Sequence, residues 1–551
     1  MPPRDSRRPY DNFAWPGRVT NGLGRTVPPR CRPGETTRRA DSFPSRAAPE
    51  TGRRDARSRR PLSLREPAAF AAAESLGAGG LVTHHSIHIV GGGLAGSEAA
   101  WQLAERGHDV VLHEMRGVRG TPAHKTDRLA ELVCSNTFKS TETSNAHGLL
   151  KAEMRELGSV VLWAADRARV PGGTALTVDR DVFSGAVHDR VTAHPRVEVV
   201  REEVTSLPSP GIIATGPLTS DALAAAIRSR LGVDSLAFYD AIAPIVSRES
   251  IDDSGVFLAS RYGKETMPEG GEAPTEGAYI NCPFTREQYE AFVDALVAAD
   301  QHHGHEFDEV PYFEGCMPVE EMARRGRETL RFGPMKPVGL RDPRTGREAY
   351  AVVQLRMEDR AGRMWNLVGF QTRLRIPEQQ RVVRMIPGLE NAEFLRYGSI
   401  HRNSYLNSPA SLSPYLSMRD DPLTLFAGQL TGVEGYTEST ATGLLAGINL
   451  SRLLAGRDAA VPPPTTMIGA LYRYLREADP AHFQPMNANF GLVDDLPERV
   501  RDKRAKRERL AERAVGDIRR WRDALGDDAA SRAGEPAGEP AGKPAGQTVA
   551  R

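Results

Sequence analysis

Cysteine is scarce in this chain. Its 551 residues hold four, Cys31, Cys134, Cys282 and Cys316, with no Cys-x-x-Cys pair. That is too few and too scattered for a disulfide framework, and it excludes a thioredoxin-type dithiol. A reducing, cytoplasmic setting is expected. Long apolar runs are missing too: none approaches the roughly 20 residues of a membrane-spanning helix, so no membrane partner is expected. Net charge is nearly absent at +1. A nucleic-acid partner must therefore meet a local patch rather than an overall field. The small sum hides an imbalance. Residues 1–60 carry fifteen Arg against six Asp and Glu, a local +9, which leaves −8 for the remainder.

What is present is an ordinary globular composition, 40% apolar and 26% charged, between two unusual ends. Residues 1–80 are rich in Arg, Pro, Ser and Gly without hydrophobic periodicity, and are expected to be a disordered extension. Their six acids argue against a transit peptide. No Met occurs between Met1 and Met115, so a non-AUG initiator near Val82 is expected. A native N-terminus at Met1, found by protein sequencing, would refute this. Residues 524–551 end in the repeat SRAGEPAGEPAGKPAGQTVAR and are expected to be a disordered tail.

The folded part opens on IHIVGGGLAG, residues 87–96. Alternating apolar residues form a strand that runs into Gly91-x-Gly93-x-x-Gly96. A helical segment, SEAAWQLAERG, follows and closes at Gly107. HDVVLHEM then gives a second strand ending near Glu114. This order is that of a βαβ dinucleotide fold. Gly91 serves the tight turn, Gly93 the approach of the pyrophosphate, and Gly96 the packing of helix on sheet. Glu114, 18 residues past Gly96, is placed to accept a ribose hydroxyl. Two later stretches point to FAD. GIIATGP (211–217) is a short apolar strand ending at Gly216. LTLFAGQLTGVEGYTESTATGLLAGIN (423–449) is a strand, a turn rich in Gly and Thr, and a small-residue helix whose N-terminus can face a flavin or a phosphate. The expected cofactor contacts are Gly91, Gly92, Gly93, Leu94, Ala95, Gly96, Glu114, Gly216, Gly428, Gln429, Glu434 and Gly435. No metal site is expected.

Beyond the glycines, long segments resemble the folate- and FAD-dependent tRNA (uracil-5-)-methyltransferases, smaller relatives of the glucose-inhibited-division flavoproteins that modify the tRNA wobble uridine. The segments are TPAHKTDRLAELVCSNTFKS (121–140), YINCPFT (279–285), EGCMPVEEMARRGRETLRFGPMKPVGLRDPRTG (314–346), NLVGFQT (366–372), RMIPGLENAEFLRYGSIHRN (384–403), AGQLTGVEGYTES (427–439) and FQPMNANFGL (483–492). The resemblance covers nearly all of 87–520. It implies an α/β fold: a discontinuous Rossmann-like FAD-binding domain, 87–226 and 396–523, with an α+β insertion domain at 227–395. It implies methylation of uracil C5 in the tRNA T loop. Methylenetetrahydrofolate gives the carbon, FADH2 the reducing equivalents, and NADPH or NADH reduces the flavin. No second GxGxxG is evident for a nicotinamide, so the reductant is expected at the open flavin face.

The chemistry calls for a nucleophile and a base. Uracil C5 reacts once a thiolate has added to C6, and the C5 proton must leave before the thiolate does. On its own, each cysteine is either a packed small hydrophobe or a reactive thiol. The resemblance makes Cys134 and Cys282 the two catalytic thiols. Cys134 is expected at the start of a helix, and Cys282 in a turn at Asn281-Cys282-Pro283, with a slight preference for Cys282 as the nucleophile. Cys316 is read as a packed thiol at least as readily as a functional one. Candidate tRNA contacts are Lys336 and Arg341 on a Gly/Pro-rich loop, and His401 and Arg402, the alternative for that pair being a hydrogen-bonded turn. Lys503 and Arg504 are further candidates, in RVRDKRAKRER (499–509), which holds seven Lys/Arg against two acids. Two other functions compete: a wobble-uridine modifier, which would carry a longer C-terminal region, and a non-catalytic flavin-containing RNA-binding protein.

Overall fold

Short β-rich segments with apolar alternation build the first sheet. Among the described residues it has five parallel strands in the order Thr424–Phe426, Gly211–Ile213, Ile87–Val90, Val110–Glu114 and Val197–Arg201. The structure is a computed structural model that describes residues 86–121, 123–232, 236–264, 277–302 and 317–526. Side chains of 236–242 and 400–404 lie outside that description. So do residues 1–80, Val82, Cys31, Cys316 and 527–551, and the expectations placed on them.

The helix after the first strand, Leu94–Glu105, packs on the sheet and against the long helix Tyr436–Leu454. Small residues decide how closely. A Cβ on Gly96 would lie 1.8 Å from the Gly91 carbonyl oxygen, and one on Gly443 would lie 2.2 Å from that of Ala95. Both are backbone clashes that no rotamer relieves. The two helices cross at a distance only glycine permits, and this brings both glycine turns to one edge of the sheet. A large apolar cluster under these elements includes Ile89, Leu112, Ile212, Phe426 and Leu444, all buried.

A second sheet is antiparallel. Its strands run Phe257–Leu258, Tyr279–Phe284, Ala351–Met357, Met364–Leu367, Ile245–Ser247 and Phe394–Arg396. Its own core holds Val246, Phe284, Phe292, Val353, Leu367 and Ile386. A ribbon of Leu236–Ile242 with Ser399–Tyr405 runs between the chain's two passages from one sheet to the other. The fold is thus mixed α/β with a parallel nucleotide-type sheet.

Candidate functional site

The glycine turn forms the floor of a cleft lined by Gly91, Gly93, Glu114, Arg116, Thr215 and Ser220 among others. Gly93 is the N-cap of Leu94–Glu105, and no side chain caps the helix there. Its first N–H groups are left for a ligand. A Cβ added to Gly93 would meet no protein atom within 4 Å, so its missing side chain leaves open space. Glu114 Oε2 accepts the Gly92 N–H at 2.9 Å and an Arg116 Nη2 bond at 2.8 Å. Burial works against the Glu114 charge, yet Arg116 and these N–H groups hold its pKa below the usual value. The carboxylate still has acceptor capacity for a ribose hydroxyl. Arg116 Nη1 is buried, makes no hydrogen bond and faces Glu131 Oε2 at 3.6 Å. Open space at Gly93 and an uncapped helix fit a dinucleotide.

The second turn has the same character. Gly428 donates to Thr442 Oγ1 at 2.7 Å and Gln429 Nε2 to Glu434 Oε2 at 2.8 Å. Gly435 is the N-cap of Tyr436–Leu454, again with no side-chain cap. One turn in, Glu438 is 1% exposed, accepts the Ala488 N–H at 3.0 Å and faces His147 at 3.1 Å. Burial opposes its charge, but Lys139 and His147 bring its pKa down to about 2. Gly216 opens a single helical turn at the end of the Gly211–Ile213 strand.

Cys134 is not at a helix start. It lies in an extended loop that leads into the strand Thr137–Ser140. The loop's carbonyls bond to side chains rather than to a following turn. Arg180 donates to Leu132 O at 2.5 Å and to Cys134 O at 2.7 Å, and Arg396 donates to Val133 O at 2.9 Å. The Cys134 N–H donates to the Tyr436 hydroxyl at 2.8 Å. Asn136 donates to Val178 O and Met357 O, both at 2.9 Å. A buried carboxylate, Glu358, meets Arg180 at 2.6 Å and Arg356 at 3.8 Å. The Cys134 strap therefore sits where the two cores meet, pinned from both sides, and Cys134 is half-buried.

Cys282 is in neither a turn nor a cleft. It is in the middle of Tyr279–Phe284, opposite Val353, and is 0% exposed in the second core. Pro283 is tolerated because the neighbouring strand Phe257–Leu258 pairs only with Ile280 and Asn281, so the missing donor falls where the ladder has ended on that side. Burial pushes the Cys282 thiol pKa up, and the Glu390 charge adds to this. Val353 and Met357, the residue that touches Asn136, are about 14 Å apart along an extended strand. Cys282 thus belongs to the second core, and Cys134 to the strap beside it.

The basic candidates are dispersed. Lys336 and Arg341 have no partner among the described residues. Their loop is held by Arg261, which donates to Lys336 O at 3.0 Å. His401 and Arg402 are in a strand opposite Asp240 and Tyr239, not in a turn. The 499–509 run enters the helix Lys503–Ala524. Much of its charge is already paired: Arg504 with Glu508 at 2.8 Å, Lys506 with Asp495 at 2.5 Å, and Arg509 with Glu498. Sequence reasoning passed over Arg116, Arg180, Arg356, Glu358, Arg396, Tyr436 and Glu438. Tyr436 and Glu438 lie inside the second glycine motif, where the glycines drew the attention.

A family profile described as "Glucose inhibited division protein A" matches residues 86–458. The chain is 57% identical over 438 residues to the Methylenetetrahydrofolate--tRNA-(uracil-5-)-methyltransferase TrmFO of Geobacter sulfurreducens, covering 79% of this chain and 98% of that one. It is 55% identical over 438 residues to the protein of that name from Brevibacillus brevis, with 79% and 98% covered. Among solved structures, Aquifex aeolicus GidA in its form II crystal superposes with a TM-score of 0.60 at 16% identity, covering 82% of this chain and 76% of that one. That last likeness is one of fold.

Proposed function

The chain belongs to the methylenetetrahydrofolate–tRNA-(uracil-5-)-methyltransferase family, and from that premise we propose that it methylates a T-loop uracil of tRNA with Cys134 as the nucleophile. The observation that carries this reading is the contrast between the thiols. Cys134 is half-buried on a strap between the two cores. Cys282 is fully buried among apolar side chains.

The Cys134 thiolate adds to uracil C6, and the C5–C6 π electrons move toward C4–O to leave an enolate. C5 attacks the methylene carbon of methylenetetrahydrofolate as one of its two C–N bonds opens. A base removes the C5 proton and the second C–N bond breaks, which releases tetrahydrofolate and leaves an exocyclic methylene on C5. Hydride addition to that methylene makes the methyl group, the S–C6 bond breaks, and the thiolate returns. Turning the methylene into a methyl group needs a hydride equivalent, which reduced FAD supplies when bound and which NADPH or NADH replenishes. Gly91, Gly93, Glu114 and Arg116 would hold the adenosine diphosphate half of FAD, with Gly96 letting the helix pack close to that turn, and the Gly428–Gly435 turn would hold the other half. Arg180 and Arg396 fix the three carbonyls of residues 132–134, and Tyr436 fixes the Cys134 N–H. The thiol is therefore tied to the helix that follows the second glycine turn. Cys282 then serves as packing in the second core.

The test is a T-arm RNA carrying 5-fluorouridine, incubated with holoenzyme, methylenetetrahydrofolate and NADPH. Fluorine cannot leave C5 as a proton does, so a covalent adduct accumulates. Peptide mapping should place it on Cys134, with Cys134→Ser giving none and Cys282→Ala still giving it. An adduct on Cys282 would reverse the assignment, and no adduct on reducible, flavin-loaded enzyme would remove the methyltransferase reading.

A further inference from the structure

The basic run 499–509 takes no part in the chemistry above, and the fold divides its charge in two. The acids around it are already occupied. Asp494 pairs with Arg473 at 2.6 Å, Asp495 with Lys506 at 2.5 Å, Glu508 with Arg504 at 2.8 Å, and Glu498 with Arg509. Such exposed pairs add little stability, yet they cancel charge at longer range. Arg507 lies over the Phe490 ring, 6.0 Å from its centroid. That leaves Arg499, Arg501 and Lys503. All three are exposed, and their side chains have no partner among the described residues. Asp502, the acid among them, caps the helix Lys503–Ala524 by accepting the Ala505 N–H at 2.7 Å.

The free cations follow one another at every second residue, so neighbouring Cα atoms lie at most about 7 Å apart. Phosphates succeed one another along a nucleic-acid strand on a similar scale. The patch is also tied to the second glycine turn by one short loop, 486–490. At its near end the Glu434 N–H donates to Met486 O and the Met486 N–H to Gly432 O, both at 3.0 Å. Along the way Glu438 Oε1 accepts the Ala488 N–H at 3.0 Å, and Lys139 donates to Asn487 Oδ1 at 2.7 Å. At its far end Phe490 carries Arg507. Lys503 lies one helical turn before Arg507, on the same face.

A row of unneutralised cations fits a polyanion. A tRNA offers a phosphate at every residue, and such contacts supply much of the affinity for nucleic acid. We propose that Arg499, Arg501 and Lys503 form a docking surface for the phosphate backbone of the tRNA arm that carries the target uridine. This rests on the tRNA reading above. The contact lies outside the reacting nucleotide. Phosphate contacts carry no sequence information, so this surface supplies affinity and orientation and leaves the choice of uridine to the catalytic centre.

Holoenzymes of the wild type, of Arg499→Gln/Arg501→Gln/Lys503→Gln and of Arg504→Gln/Arg509→Gln are titrated with T-arm stem–loop RNA over a series of KCl concentrations. The Arg-rich residues 1–60 are present in all three, so their share cancels in the differences. The triple variant should lower the slope of log affinity against log salt by about 2–2.7, the loss of three phosphate contacts at about 0.7–0.9 each. The double variant, which removes two paired cations, should lower it by less than about 1. Flavin content and thermal unfolding of the triple variant should match the wild type, because its altered side chains have no partner to lose. The KM for methylenetetrahydrofolate should not move. A wild-type slope in the triple variant overturns the proposal. So does the same fall per charge in the double variant, which would assign the effect to the overall field. A raised folate KM with the wild-type slope also overturns it, and would give these cations to the carboxylates of folate. A wild-type enzyme that does not bind the RNA at all removes the tRNA reading and this surface with it.

Discussion

Glu358 is 1% exposed and shared by two guanidinium groups, so its charge matters more to its neighbours than to water. Replacing it with Gln leaves the Arg180 and Arg356 charges without their counter-ion. A loss of about 3 kcal/mol in urea unfolding is expected, at the low end for breaking a buried pair because Arg180 keeps some solvent contact. Tyr436→Phe is a gentler change. It removes the acceptor of the Cys134 N–H and should cost about 1–2 kcal/mol. Flavin content should stay at the wild-type level while adduct formation with 5-fluorouridine RNA slows; an unchanged rate would show that Tyr436 does not position the thiol. At this scale the sequence revealed residue types and not their accessibility. Cys134 and Cys282 look alike in ELVCSNT and YINCPFT, and only burial tells them apart.

Between elements, the two glycine-bearing helices offer a paired test. Gly443→Ala puts a Cβ 2.2 Å from the Ala95 carbonyl oxygen, so the helices Leu94–Glu105 and Tyr436–Leu454 must move apart. A loss of about 3 kcal/mol, with loss of bound flavin absorbance, is expected. Gly93→Ala meets no protein atom. It should leave the unfolding free energy of the apoprotein within about 1 kcal/mol and yet weaken flavin binding, since the methyl group occupies the approach of the pyrophosphate. Equal destabilisation by both changes would contradict the separate roles. The first βαβ unit was legible in the sequence because its signals are local: strand alternation, glycine spacing and an acid at the second strand end. The helix expected at Cys134 was not formed, because Arg180 and Arg396 take the carbonyls that a helix would have used. The turn expected at Pro283 became a strand because the neighbouring pairing had already ended there.

Over the whole molecule, two buried carboxylates shape the response to pH. Burial raises Glu98 to about 7 and Glu153 to about 8, against 4.5 in an open chain. A carboxyl with a raised folded-state pKa contributes stability that is complete below about 4.5 and is lost as pH rises through 7 and 8. Each group gives a fall of at most about 1.4 kcal/mol per pH unit. Wild-type stability in urea should therefore decline between pH 5 and 8, and the double variant Glu98→Gln/Glu153→Gln should flatten that decline; an unaltered slope would place its origin elsewhere. Both carboxyls also join distant parts of the chain. Glu98 holds the N-terminus of Val160–Arg167, and Glu153 that of Met467–Glu477. The same division runs through the rest of the protein. The sequence by itself determined the nucleotide-binding start, the second glycine turn and the family, because contiguous patterns carry all three. Tertiary structure alone decided how deeply each thiol is buried and which cations surround the Cys134 strap. Arg180, Arg396 and Tyr436 reach the Cys134 strap across 46, 263 and 302 residues. Burial and charge pairing at that range are set by how two hydrophobic cores meet.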